Sequence, residues 1–220
     1  MAFGLDLNGG SGPIIPIIKY DSRAGRMQRV DRADGINVPV DITNDFKAVF
    51  DLENVEKGWI DFSPGRAPSF TLVRIEDKMP PQPTPDHRQG VRIMLKLAND
   101  GGVRELATAA KAALGGLNEL HDAYQTSKDA HPGQLPVVVL KSTVPITTGS
   151  GPMKSTNYRP VFEIVGWAPR PADLVWEPKN KPDAMPGIQQ AQPPATGSTI
   201  VGAPLAGASL GDFGNLGDFG

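Results

Sequence analysis

The chain has 220 residues, a formal net charge of −2, 39% hydrophobic and 21% charged residues, and no cysteine. That composition suits one generous globular domain or two small ones. It excludes a uniformly basic nucleic-acid coat, a disulfide framework, a thiolate metal site and a cysteine nucleophile. No apolar run approaches the ~18 residues needed to span a bilayer, so no membrane partner is expected.

Residues 1–12, MAFGLDLNGGSG, read as a flexible glycine-rich arm without the basic start and apolar core of a signal peptide. PIIPIIKY (13–20) is apolar and mostly β-branched, and its two prolines confine it to a sheet edge or a strand start. SRAG (22–25) signals a turn and GRMQRVD a returning strand, which together make a basic hairpin. INVPVDITNDFKAVFDL (36–52) alternates well enough for one or two strands, with Pro39 favouring an edge. GWIDF (58–62) sets Trp59 and Asp61 against Ile60 and Phe62, and SFTLVRI (69–75) is a further strand. Four prolines make 79–90 an extended loop, after which VRIMLKLA (91–98) places Arg92 and Lys96 near one face.

The spacing of Val103, Leu106, Ala110, Leu114, Leu117, Leu120 and Tyr124 predicts a helix over 103–124. Gly115 and Gly116 within it mark a close contact or a bend, since each costs ~1 kcal/mol in a helix interior. LPVVVLKST (135–143) reads as a central strand, and 143–160 as a polar, basic stretch with a glycine-rich turn. VFEIVGWAPRP (161–171) reads as the last strand, with Phe162 and Ile164 on the core side and Glu163 and Trp167 outside. Residues 181–220 are rich in Gly and Pro and end on two LGDFG peptides. They bury too little apolar surface to offset ordering, which predicts a disordered tail.

The sum is a mainly β protein with one long α-helix, its single domain covering 13–180. Strands, a helix and further strands fit an OB-type Greek-key barrel, whose strand face and loops bind oligonucleotides. Other β-rich α+β folds fit as well. His87, His121 and His131 lack metal-ligand spacing, and Asp51, Glu53, Glu56 and Asp61 read as a solvated acidic face ahead of a Mg²⁺ site. With no GxSxG or HExxH motif, neither an enzyme nor a cofactor is expected.

Charge is polarised along the body. Lys19, Arg23 and Arg26 flank Tyr20 in one segment, and Lys154, Arg159 and Arg170 flank Tyr158 and Trp167 in another. Binding a single strand needs flat side chains on which bases stack, at ~1–3 kcal/mol per base, beside cations for the phosphates. These segments supply both residue types. The expected phosphate contacts are Lys19, Arg23, Arg26, Arg92, Lys96, Lys154 and Arg159, and the expected stacking residues are Tyr20, Trp59, Tyr158 and Trp167.

KSTNYRPVFEIVGWAPRPADL (154–174), with GWIDFSPGRAP (58–68) and GGVRELATAAKAALGGLNELHDAY (101–124), resembles a group of phage and prophage replication-region proteins. These are similar to phage single-stranded DNA-binding proteins of OB fold. The resemblance implies a DNA coat acting in replication or recombination in the cytoplasm of a bacterial host. It also implies a C-terminal tail that recruits replication or recombination proteins, with Asp212–Phe213 and Asp218–Phe219 as two copies of the hook. A homodimer is an open option. The rival expectation is a phage structural or assembly protein with a β-sandwich body, and a metal-dependent nuclease is the remote one.

Overall fold

The computed structural model describes residues 15–33, 36–148 and 150–179. The expected arm, the expected tail and the hook residues Asp212, Phe213, Asp218 and Phe219 lie outside the described residues. Among those described, the protein is mainly β with one helix. The strands are β1 (Ile17–Asp21), β2 (Arg26–Ala33), β3 (Ile36–Asp41), β4 (Lys47–Phe50), β5 (Glu56–Asp61), β6 (Ser69–Arg74), β7 (Arg88–Leu97), β8 (Val103–Thr108), β9 (Gln134–Thr148) and β10 (Ser155–Pro169). The helix α1 (Lys111–Ser127) lies between β8 and β9. No helix among the described residues is long and apolar enough to cross a membrane.

The strands form one hydrogen-bonded sheet in the order β10-β9-β4-β7-β8-β1-β2-β3, with the β5–β6 hairpin branching from β7. β7 is long enough to hold two partners on one edge: Leu95–Leu97 pair with β4, while Arg88–Arg92 pair with β5. Neighbours run antiparallel except β1 and β8, which are parallel.

β10, at one end of this path, comes back to β1 and the β1–β2 turn. The Tyr158 amide of β10 donates to the Ser22 carbonyl at 2.7 Å, and the Tyr20 hydroxyl donates to the Tyr158 carbonyl at 3.0 Å. The meeting point is a tight turn, where Asp21 Oδ1 accepts from the Arg23 and Ala24 amides. Gly25 closes it with φ +67°, and a β-carbon there would come within 3.1 Å of Tyr158. Inside the curl, Phe46, Phe50, Leu95, Leu106, Met27, Val138, Leu117 and Leu120 form the core. Phe46 and Phe50 meet edge to face at 6.0 Å, a preferred aromatic geometry.

α1 lies directly on β10. A β-carbon on Gly116 would sit 2.2 Å from the Pro160 carbonyl oxygen, so the paired glycines mark a close contact.

Three expectations are corrected. Residues 103–108 are strand β8, in register with β7 from Val91↔Thr108 to Lys96↔Val103. Val103 and Leu106 satisfy helical spacing, but the turn at Gly101 (φ +65°) folds the segment back as a hairpin. Residues 143–160 are mostly strand, because their Thr, Val and Ile pair across the ribbon from Ser155↔Thr148 to Pro160↔Thr143. Trp167 packs against the core along with Phe162 and Ile164. Register shifts at Val161/Phe162 and Ile164/Gly166 re-phase β10, so strict alternation fails.

Candidate nucleic-acid interface

Burial removes two expected contacts from the surface. Tyr20 is a core residue, 6% exposed, whose hydroxyl is used in closing the sheet. Burial, helped by Asp21, pushes its pKa up to about 12. Arg92 is 2% exposed, with Nε 2.9 Å from Glu105 and Nη1 on Glu56 and on the Glu177 carbonyl. Burial works against its charge, yet hydrogen bonds to the two carboxylates outweigh that and raise its pKa. Both residues are structural.

Others are engaged by neighbours. Lys96 Nζ lies 2.7 Å from both Asp173 oxygens, and its hydrogen bond draws the Asp173 pKa down. Arg26 pairs with Asp41 at 3.0 Å, and Arg159 pairs with Glu119. Trp59 donates Nε1–H to the Pro80 carbonyl at 2.7 Å, which pins the proline-rich loop. Trp167 stacks on His131 with centroids 4.4 Å apart. The acidic run is not the solvated face expected: Asp51, Glu56 and Asp61 are buried, and the run is divided among partners, Asp51 and Glu53 on Arg170, Glu56 on Arg92, and Asp61 accepting from Ser63.

What remains of the expected set is Lys19, Arg23, Lys154 and Tyr158. The three cations are exposed and form no ion pair among the described residues. The Tyr158–Ser22 hydrogen bond brings together the two segments the sequence singled out, with Arg23 in the turn and Lys154 further along the ribbon.

Lys19 opens onto a different feature. A groove of about 890 Å³ runs over the outer face of β8 and β1, between the β5–β6 hairpin and residues 177–179. Alternation along β1 sends Ile18 and Tyr20 into the core and turns Ile17 and Lys19 to this groove. Phe62 and Phe70 line the opposite side with rings perpendicular at 6.0 Å, and Phe62 is 49% exposed. Lys179 stands over the Phe70 ring at 4.8 Å while its Nζ binds Glu105 at 2.8 Å. Thr108 and Ala110 form the end wall. There α1 begins with no side-chain cap and no acid in its first turn, so its positive end is uncompensated.

Phe62, Phe70 and Lys179 were not singled out from the sequence. Pairing of Ile60 with Phe70 across β5 and β6 puts both phenylalanines on one face. That neighbourhood is visible in sequence only as the alternation of GWIDF and SFTLVRI.

No protein-family model, no curated protein and no solved structure matches this chain.

Proposed function

We propose that the protein binds single-stranded nucleic acid, DNA in the first instance, without catalysing a reaction on it. The observation that carries this reading is the groove, where the exposed Phe62 lies across a largely apolar floor from Lys19, a lysine with no ion pair among the described residues. A base stacks on Phe62 and a phosphate contacts Lys19, while Lys179, held by Glu105 over the Phe70 ring, walls the groove. Arg23 and Lys154 extend the cationic track past the sheet closure.

Strand order supports an OB-type barrel. Counting β4, β7, β8, β9 and β10 as one to five, with α1 after the third, the fourth pairs with the first and the second with the third. The groove then borders the outer face of the second and third strands, where OB folds bind oligonucleotides. A role in phage replication or recombination, in a bacterial cytoplasm, and recruitment of partner proteins through Asp212–Phe213 and Asp218–Phe219 complete the proposal.

The test is anisotropy of a fluorescein-labelled oligothymidylate at low and moderate salt, with an oligouridylate arm for RNA. Phe62→Ala is expected to weaken binding by ~1–3 kcal/mol and leave the fold intact, since half of the ring is already in water. Lys19→Ala is expected to lower the salt slope by about 1. No binding by the wild-type chain at low salt overturns the reading. The exposed apolar Ile17 and Phe62 would then favour a phage assembly protein holding an extended protein segment. A large closed particle in gel filtration would support that alternative.

A further inference from the structure

After β10 the chain turns back and crosses the outer face of the sheet as a strap, residues 170–179, before reaching the groove. Arg170 clamps Asp51 through two hydrogen bonds of 2.7 and 2.8 Å. Asp173 meets Lys96, and Leu174, 1% exposed, packs with Met94 and Leu135. Trp176 lies under the Arg74 guanidinium at 5.2 Å. Glu177 and Lys179 then close over Arg92 and Glu105.

Glu177, Pro178 and Lys179 also form one side of the groove. Without them the groove loses a wall and one of its two lysines. Glu105 and Glu56 would share the single charge of Arg92, which leaves a net negative cluster beside the phosphate path.

We propose that the groove binds a single strand only while the strap is docked, so that strap docking and strand binding form one linked equilibrium. Leu174 and Lys96 are then positioning residues that act on the groove from outside it. This rests on the nucleic-acid reading above. Linkage is reciprocal: a strand that selects the docked strap must also hold it down. Apparent affinity is the intrinsic affinity multiplied by the fraction of molecules whose strap is docked, so it falls as the strap undocks.

The experiment uses the full chain and an oligothymidylate. Hydrogen exchange of amides 172–179 is followed with and without the oligonucleotide, beside anisotropy of the wild type and of three variants: Leu174→Asp, Lys96→Ala and an exchanged Lys96/Asp173 pair. Saturating oligonucleotide is expected to slow exchange across the strap by about tenfold or more. Leu174→Asp, checked for an intact core by its thermal transition, is expected to lose affinity by about tenfold or more. The exchanged pair Lys96→Asp with Asp173→Lys rebuilds the ion pair and is expected to bind within about twofold of wild type.

Strap exchange unchanged on binding, or full affinity in Leu174→Asp, overturns the linkage while leaving the nucleic-acid reading standing. An exchanged pair as weak as Lys96→Ala would place Lys96 on a phosphate and overturn its positioning role. A wild-type chain that binds no oligonucleotide at low salt removes the nucleic-acid reading itself.

Discussion

Arg92 illustrates how a residue type misleads when its surroundings are unknown. In VRIMLKLA it looks like a cation alternating out of a strand, and its side chain does leave the main core. The face it reaches is covered by the strap, and two glutamates wait there at 2% and 3% exposure. A guanidinium satisfies both carboxylates and a carbonyl at once, which a lysine cannot do with the same geometry. Arg92→Ala is expected to cost ~3–5 kcal/mol in urea unfolding, because it strands two buried carboxylates. A loss under 1 kcal/mol would mean that the cluster is more hydrated than its burial indicates. At Lys19 the side chain is exposed among the described residues, on the face of β1 that lines the groove.

Among elements, α1 and β10 carry the clearest test. The sequence marks Gly115 and Gly116 alike, yet they differ in what surrounds them. Alanine at Gly116 would drive its β-carbon into the Pro160 backbone, whereas at Gly115 it meets only the flexible Arg159 side chain at 3.3 Å. Gly115→Ala is expected to raise thermal stability by up to ~1 kcal/mol through helix propensity. Gly116→Ala is expected to lower it by ~1–3 kcal/mol through overpacking. A stabilising shift in both variants would show that α1 can move away from β10. Most strands were legible from their β-branched runs and turns, and Pro39 lies in β3 at the end of the sheet path as expected. The start of the helix was not, because Val103 and Leu106 fit both periods and only the Gly101 turn separates them. Trp167 was misplaced for a related reason: a bulge changes the phase of a strand without leaving a mark in composition.

For the whole molecule, closure of the sheet decides both stability and the site. Tyr20 and Tyr124 are held near the core with pKa values pushed up to about 12, burial being the first cause in each. A raised folded pKa means the contribution is complete below the unfolded value near 10 and is lost as pH rises toward 12. Thermal midpoints are therefore expected to be insensitive to these groups up to about pH 9 and to fall between about 10 and 12. Tyr20→Phe, which deletes the bond to β10, is expected to cost ~1 kcal/mol at neutral pH and to flatten that alkaline decline. An undiminished decline in this variant would assign it to other groups. The candidate site was only partly legible. Lys19, Arg23, Lys154 and Tyr158 stand at or near the surface, but the groove is assembled from β1, β8, the β5–β6 hairpin and the strap. No local window of sequence contains that set. The same long reach has a consequence for synthesis. β1 must wait for β8 to gain its parallel partner, for Tyr158 to close the sheet and for Lys179 to balance Glu105. A ribosome making this protein therefore releases nearly the whole body before the core can seal, which favours late, cooperative folding. Until then the exposed edge of β1 needs protection from other nascent chains.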